Sequence, residues 1–555
     1  MYYIDNAHFW KKRQLFSLVV QELGEGTIIM GLSESLRKVE SEIDSLHQEL
    51  ELFGEEYTSG VWAYLSALDL FYLDYSINYV KSESELAALT NNLVLASNYG
   101  LSWLSGVLHE GKKINKKITS TTALRFVEHS VDYLSFYAAF FNAHNEVVNL
   151  SLEGNKIVVK DNYPLCLAYR AYNYLHGIER KTIDEDSEND FKNFQTRIVE
   201  EEGRSSLNPK NVGGMFNRLH QMNESFWELP PDWELLGTKL ADYRIFFETL
   251  QSIMFIQKGI YEYEFSQTRD FTAYYSKIVL VLDAIADLVA MMERYTKLGE
   301  GKISAIIDLF TYGNWKQDHP DPVLQPIIQL PNGNLIFSPL IITGSNTERN
   351  LITLINRIPE GKEMYSKFST RKEELMREEL VSNLGKKFLY WNGKLPKARK
   401  LPDLDLAIID TDSDHVFLCE LKSLHSPSSP REIIEKTQEI EKGASQIRKI
   451  ANWVEESLQE FIDMTGWENI SGVTRVVVSK HFVGWGYYED TDIPIISMHH
   501  FMEIMKSFDS DKVSLILSKF DHFPVDGEDY ISAEISESIN GFDISHSKID
   551  FPANR

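Results

Sequence analysis

Between Leu401 and Ser423 the sequence reads LPDLDLAIIDTDSDHVFLCELKS. The apolar runs LAII and VFLC flank the polar stretch DTDSDH, the pattern of two strands joined by a tight turn. VTRVVVSK at 473–480 and IPIISM further on predict two more strands, with a helix at about 430–460 before them and one near 498–507 after. Upstream, helical spacing predicts helices at about 347–357 and 362–385. Helix, hairpin, helix and strand in this order predict an α/β sandwich built on a central mixed sheet over 346–510.

The chain before this block reads differently. From the start to about 315 it is mainly helical, with long stretches expected at 237–265 and 271–297. Leu32, Leu36, Val39, Ile43, Leu46, Leu50 and Phe53 alternate by four and three, which fits either a bundle-core helix or a dimer seam. EVVNLSLEGNKIVVKD alternates around Glu153-Gly154-Asn155 and reads as a hairpin. TIDEDSENDFKNF (182–194) reads as a polar loop. The turn formers of YGNWKQDHPDPVLQP mark a boundary, and PIIQLPNGNLIFSP reads as a further hairpin. The expected organisation is a helical domain at 1–315 that senses, recruits or oligomerises, a linker and hairpin at 316–345, the α/β domain at 346–510, and an acidic extension at 511–555.

Composition narrows the class. At 555 residues the chain exceeds one ordinary core, so two or three domains are expected. No apolar run approaches the roughly 20 residues that span a bilayer, and the closest, IVLVLDAIADLVAMM, carries two aspartates and reads as a buried helix. No membrane contact is expected. Two cysteines, Cys166 and Cys419, offer neither a disulfide framework nor a zinc motif, which fits a cytoplasmic protein. A net charge of −26 argues against non-specific coating of nucleic acid. It leaves room for a local basic patch, and KKFLYWNGKLPKARK (386–400) holds six basic residues and no acid directly before the hairpin. Lys394, Lys397, Arg399 and Lys400 are its candidate phosphate contacts.

The hairpin carries the candidate chemistry. With a four-residue turn, Ile409 faces Val416 and Ile408 faces Phe417, and continuing the register sets Asp405 opposite Glu420. Period two puts Lys422 on the face of Glu420, while Phe417, Cys419 and Leu421 face the other way into a core. Two carboxylates this close repel unless a proton or cation intervenes. Mg²⁺ (or Mn²⁺) accepts one or two carboxylates and keeps waters for a phosphate. A lysine beside it stabilises phosphoryl charge or helps deprotonate a water.

Pro402-Asp403 followed by Glu420-Leu421-Lys422, on a hairpin with a helix before and after, resembles the motif of the PD-(D/E)xK phosphodiesterases, the restriction-endonuclease-like nucleases. The resemblance covers about 340–510. It implies a restriction-endonuclease-like fold and Mg²⁺-dependent hydrolysis of nucleic-acid phosphodiesters, most often DNA. The literal Pro-Asp pair selects Asp403 as metal ligand, and the register selects Asp405; the register is preferred. Relatives often carry a Glu on the preceding helix, where KEELMREELVSNL offers Glu373, Glu374, Glu378 and Glu379. Glu379, one turn after Leu375 and Met376, is the favoured one. Relatives also often carry a Gln on the following helix, here Gln446. His425 and the pair His499-His500 are read as structural. By analogy the architecture suits an effector of prokaryotic restriction or antiviral defence. A non-catalytic binding protein on the same fold, and a ribonuclease with the same site, stand as alternatives.

Overall fold

The computed structural model describes residues 32–80, 83–106, 113–176, 198–201, 204–207, 229–314, 320–396, 401–427, 429–487, 492–539 and 541–551. The described residues fall into two units, one within Met1–Tyr137 and Lys181–Tyr365, the other within Ala138–Arg180 and Ser366–Arg555. The first is helical with a small sheet, and the second is α/β. Among the described residues no helix is long and apolar enough to cross a membrane.

In the helical unit, Tyr57–Asn78 is the central helix. Every residue from Tyr57 to Leu70 is buried, as expected of a helix apolar on all sides. Its one buried acid, Asp69, accepts hydrogen bonds from Ser338 Oγ (2.7 Å) and Leu340 N (2.9 Å), capping the helix Pro339–Thr343. The four-three spacing near the start is not a continuous helix. Glu34–Ser45 is helical, and 3₁₀ turns at Leu46–Glu49 and Glu51–Gly54 follow, broken by extended Leu50. Leu36, Val39, Ile43 and Leu46 are buried within the chain itself, so they serve a core and not a dimer seam. The stretch expected as one helix at 271–297 is also divided. Phe271–Lys277 and Ile285–Thr296 are helices, but Leu280–Leu282 between them is a strand paired with Leu335–Phe337 of the predicted hairpin. That hairpin therefore belongs to the helical unit and is not a linker. The polar segment 182–194 lies outside the described residues.

The α/β unit begins earlier than expected. Its first elements are β1 (Val148–Glu153), β2 (Lys156–Asp161) and α1 (Cys166–His176). The chain returns to it with α2 (Lys362–Asn383), β3 (Phe388–Gly393), β4 (Leu404–Asp410) and β5 (His415–Lys422). Then follow α3 (Pro430–Glu456), α4 (Leu458–Thr465), β6 (Gly472–Ser479), β7 (Ile495–Ser497), α5 (Met498–Ser507) and α6 (Ser510–Ser518). The last strands are β8 (Ile531–Ile539) and β9 (Phe542–Asp550). These do not form a separate acidic extension: β9 pairs in parallel with β2, giving a four-stranded sheet of order β1-β2-β9-β8.

The central sheet has the order β3-β4-β5-β6-β7. β3, β4 and β5 run antiparallel, and β5, β6 and β7 run parallel, so the sheet is mixed. The parallel step from β5 to β6 needs a crossover, which α3 supplies. Residues 415–421 of β5 are all buried, as a strand covered on both faces requires. Phe417 meets Phe501 of α5, while α3 lies against the opposite face, where Glu420 and Lys422 reside.

Candidate active site

The hairpin pairs Ile409 with Val416 and Ile408 with Phe417, and its ladder runs to Leu406–Cys419. Asp405 and Glu420 are the next residues on each strand. The Asp405 carboxylate reaches across and accepts a hydrogen bond from Leu421 N–H at 2.9 Å. Lys422 Nζ lies 2.8 Å from Glu420 Oε1, with both side chains largely withdrawn from solvent (12% and 4% exposed). Lys422 Nζ also points at Gln446 Oε1 of α3, 3.4 Å away. The structure thus brings Asp405, Glu420, Lys422 and Gln446 together at the end of the hairpin away from its turn.

A glycine makes this convergence possible. A Cβ on Gly443 of α3 would lie 2.7 Å from Lys422 Cε and 3.2 Å from Glu420 Cγ. A side chain there would press the lysine off its position, so α3 approaches the two charged groups on a bare backbone.

The electrostatics reflect crowded acids. Burial, and then the Asp405 charge, push Glu420 up to about 7, against the opposing pull of Lys422. Asp405 is raised by burial, although Leu421 N–H, Lys422 and Arg377 act to lower it and Asp403 adds to the rise. Burial alone would lower Lys422, but Glu420, Asp405 and Glu373 raise it, so it keeps its proton at neutral pH. Glu373 of α2 is raised by burial and then by Asp405.

Glu373 is therefore the helix acid coupled to this cluster. Glu379 instead pairs with Lys480 at 3.3 Å, and Glu374 and Glu378 pair with Arg371. The apolar stripe of α2 explains it. Met376 and Leu380 are fully buried, and Glu373 precedes them by three and seven residues, on the same helical face. Leu375, used to favour Glu379, is only half-buried. The spacing of Met376 and Leu380 was the signal in the sequence that identifies Glu373.

The remaining candidates disperse. Asp403 is exposed, just before β4. Lys394 is exposed and follows Gly393, which pairs with Leu404 at the Asp405 end of the sheet. Lys397, Arg399 and Lys400 lie outside the described residues. Lys387 sits at the opposite end, beside the turn, in an ion pair with Asp410 at 3.1 Å. His425 Nε2 lies 2.6 Å from Lys372 Nζ. Cys166 and Cys419 are buried free thiols.

No protein-family model, curated protein or solved structure matches the chain.

Proposed function

We propose that the α/β unit is a divalent-cation-dependent phosphodiesterase acting on nucleic acid, with DNA as the favoured substrate, and that its fold is restriction-endonuclease-like. The observation that carries this reading is the meeting of Asp405, Glu420 and Lys422 at one end of a buried strand pair, with Glu373 coupled to them. Lys422, Arg377 and Lys372 act against the rise of these acids, yet Asp405, Glu420 and Glu373 all stay raised by burial, so the place is desolvated and under-neutralised, which a hard cation relieves. The acids do not form a tight triad of donor atoms, and Mg²⁺ does not need one, since it is commonly held by one or two carboxylates with its waters retained. Asp405 and Glu420 would hold the ion, and Glu373 would add charge beside them. Once bound, Mg²⁺ or Mn²⁺ would neutralise a phosphate oxygen and lower the pKa of a water.

The other roles follow from the contacts. Lys422, holding its proton between Glu420 and Gln446, places positive charge where a phosphorane would gather negative charge, so it acts as an electrostatic stabiliser before it acts as a base. Gln446, accepting from Lys422 through its oxygen, keeps its amide N–H groups for a water or phosphate oxygen. Lys394 stands at the proper end of the sheet for a flanking phosphate. The helical unit serves recruitment or sensing in this reading, as an effector of restriction or antiviral defence would require. The test is incubation of the purified chain with supercoiled plasmid, linear DNA and RNA in Mg²⁺, Mn²⁺ or EDTA. Cleavage of DNA that EDTA stops and Glu420→Ala abolishes is expected. Cleavage that persists in Glu420→Ala, or none on any substrate with either ion, would reject it.

A further inference from the structure

A second group of metal-binding atoms lies elsewhere in the α/β unit. His176 closes α1, and His500 and Glu503 lie one turn apart on α5; their ligand atoms all fall within 4.8 Å of one another. This is the one such three-residue group among the described residues. Imidazole nitrogen with carboxylate oxygen suits Zn²⁺ and its transition-metal neighbours, whereas Mg²⁺ and Ca²⁺ take oxygen ligands.

The surroundings of His500 match those of a ligating histidine. Its Nδ1 lies 2.9 Å from the Tyr172 hydroxyl, which leaves Nε2 as the ligand atom. Tyr172 is fully buried, and its oxygen is fixed in turn by Ser497 N–H at 3.0 Å. A hydrogen bond on the second ring nitrogen is the usual means of setting tautomer and ring orientation in metal sites. The network allows the required tautomer: Nδ1–H donates to the Tyr172 oxygen, whose own proton turns to Ser497 Oγ at 3.4 Å. Glu503 already faces imidazole, with a carboxylate oxygen 3.4 Å from His499 Nε2.

One adjustment is needed. The rings of His176 and His500 stack at 4.1 Å with 11° between their planes. Parallel rings cannot aim both lone pairs at one point, so one must turn. His500 is held by Tyr172, so the half-buried His176 ring, which packs on Tyr172 at 4.9 Å, is the one that must turn.

We propose that His176, His500 and Glu503 form a site for Zn²⁺ or a similar transition metal, with water as fourth ligand. The ion clips α1, which belongs to the early excursion of the chain, onto α5 behind the central sheet. The site is distinct from the Asp405–Glu420 cluster in donor chemistry and in position.

The test uses the full chain, stripped with EDTA, dialysed, and titrated with Co²⁺ and then Zn²⁺. One equivalent of Co²⁺ should bind with the intense visible bands of four-coordinate cobalt, and Zn²⁺ should bleach them. An Asp405→Ala/Glu420→Ala variant should keep the signal, which separates this site from the proposed nuclease site. His176→Ala and Glu503→Gln should each abolish it, and His499→Ala should leave it in place. Tyr172→Phe removes no ligand and should keep the stoichiometry while weakening affinity by about 10- to 100-fold. Glu503 is more than half exposed, so its variant tests the site even if His176→Ala fails to fold. Absence of bound Co²⁺ and Zn²⁺ in the parent chain, or full binding in Glu503→Gln, would overturn the proposal.

Discussion

Asp405 and Asp410 stand on the same strand, five residues apart, and their environments are opposite. Asp410, 3% exposed, would be raised by burial, but Ser510 Oγ–H, Asp412 N–H and Lys387 outweigh it and hold the carboxylate below its ordinary range. Asp405 accepts from a backbone N–H, sits among Glu420, Glu373 and Asp403, and is raised. One acid is satisfied by its own fold, and the other is left in a place the fold alone does not neutralise. Burial of an acid alone therefore does not single out the proposed site; burial with like-charged company is the feature on which that proposal rests.

The largest test of this contrast is catalytic. Asp405→Ala, Glu420→Ala and Lys422→Ala should each lower cleavage by about a thousandfold or more, and the triple variant should be little worse than the singles, since groups acting as one unit are not additive. Circular dichroism should show an intact fold in all of them. Plasmid relaxation within tenfold of the parent in Glu420→Ala would remove the contrast.

The second test is pH. Glu420 is raised from 4.5 to about 7, so between these values the folded chain holds a proton that the unfolded chain has lost. The contribution of Glu420 to stability should fall as pH rises through that window, by about 3 kcal/mol if the group acts alone. Asp410 has the opposite sign: its contribution is present above 3.8 and is lost as pH drops through its lowered value. His47, His129, His500 and His522, lowered by burial to about 4, 4, 3 and 4, act in the opposite sense to Glu420, since the unfolded chain takes up protons there that the folded chain does not. The Glu420 contribution is therefore read as the difference between urea melts of the metal-free parent and Glu420→Gln from pH 4.5 to 7.5: the parent should lose ground to the variant as pH rises, and millimolar Mg²⁺ should shrink that loss.

The third test moves to the satisfied acid. Asp410→Ala should cost about 1–3 kcal/mol by orphaning the Ser510 and Lys387 partners. Activity per folded molecule should not change, because Asp410 is about 17 Å along the strand from Asp405. A melt paired with a cleavage assay on the same sample separates the two.

The smallest expected effect is at Gly443. Alanine favours a helix interior by about 1 kcal/mol over glycine, and the clash falls mainly on the flexible end of Lys422. Stability should stay within about 1 kcal/mol of the parent, while cleavage should drop about tenfold as the ammonium is displaced. A large loss of stability with unchanged turnover would show that Gly443 serves packing alone.

The sequence revealed what is local. The hairpin register was legible because apolar alternation and a four-residue turn leave little freedom, and that register sets Asp405 beside Glu420. Glu373 was harder, because choosing among four acids on α2 requires knowing that Leu375 is only half-buried while Leu380 is fully buried. The strand Leu280–Leu282 was hidden inside a helical spacing, since its partner Leu335–Phe337 lies about 55 residues away and supplies the pairing. The limits of the α/β unit were not legible at all. β1, β2 and α1 carry no local mark of belonging with strands at the far end of the chain, and only tertiary pairing assigns them.

That pairing bears on how the molecule is made. Lys156 of β2 meets Asp543 of β9, roughly 390 residues later. Contacts of such separation are closed late and at a high entropic cost. During synthesis the β1–β2 hairpin must wait, with one edge unpaired, while the helical unit and then the central sheet are made. The α/β unit is complete only after residue 550 has left the ribosome. The strands that bear Asp405, Glu420 and Lys422 leave it roughly 130 residues earlier than the strand that closes the small sheet.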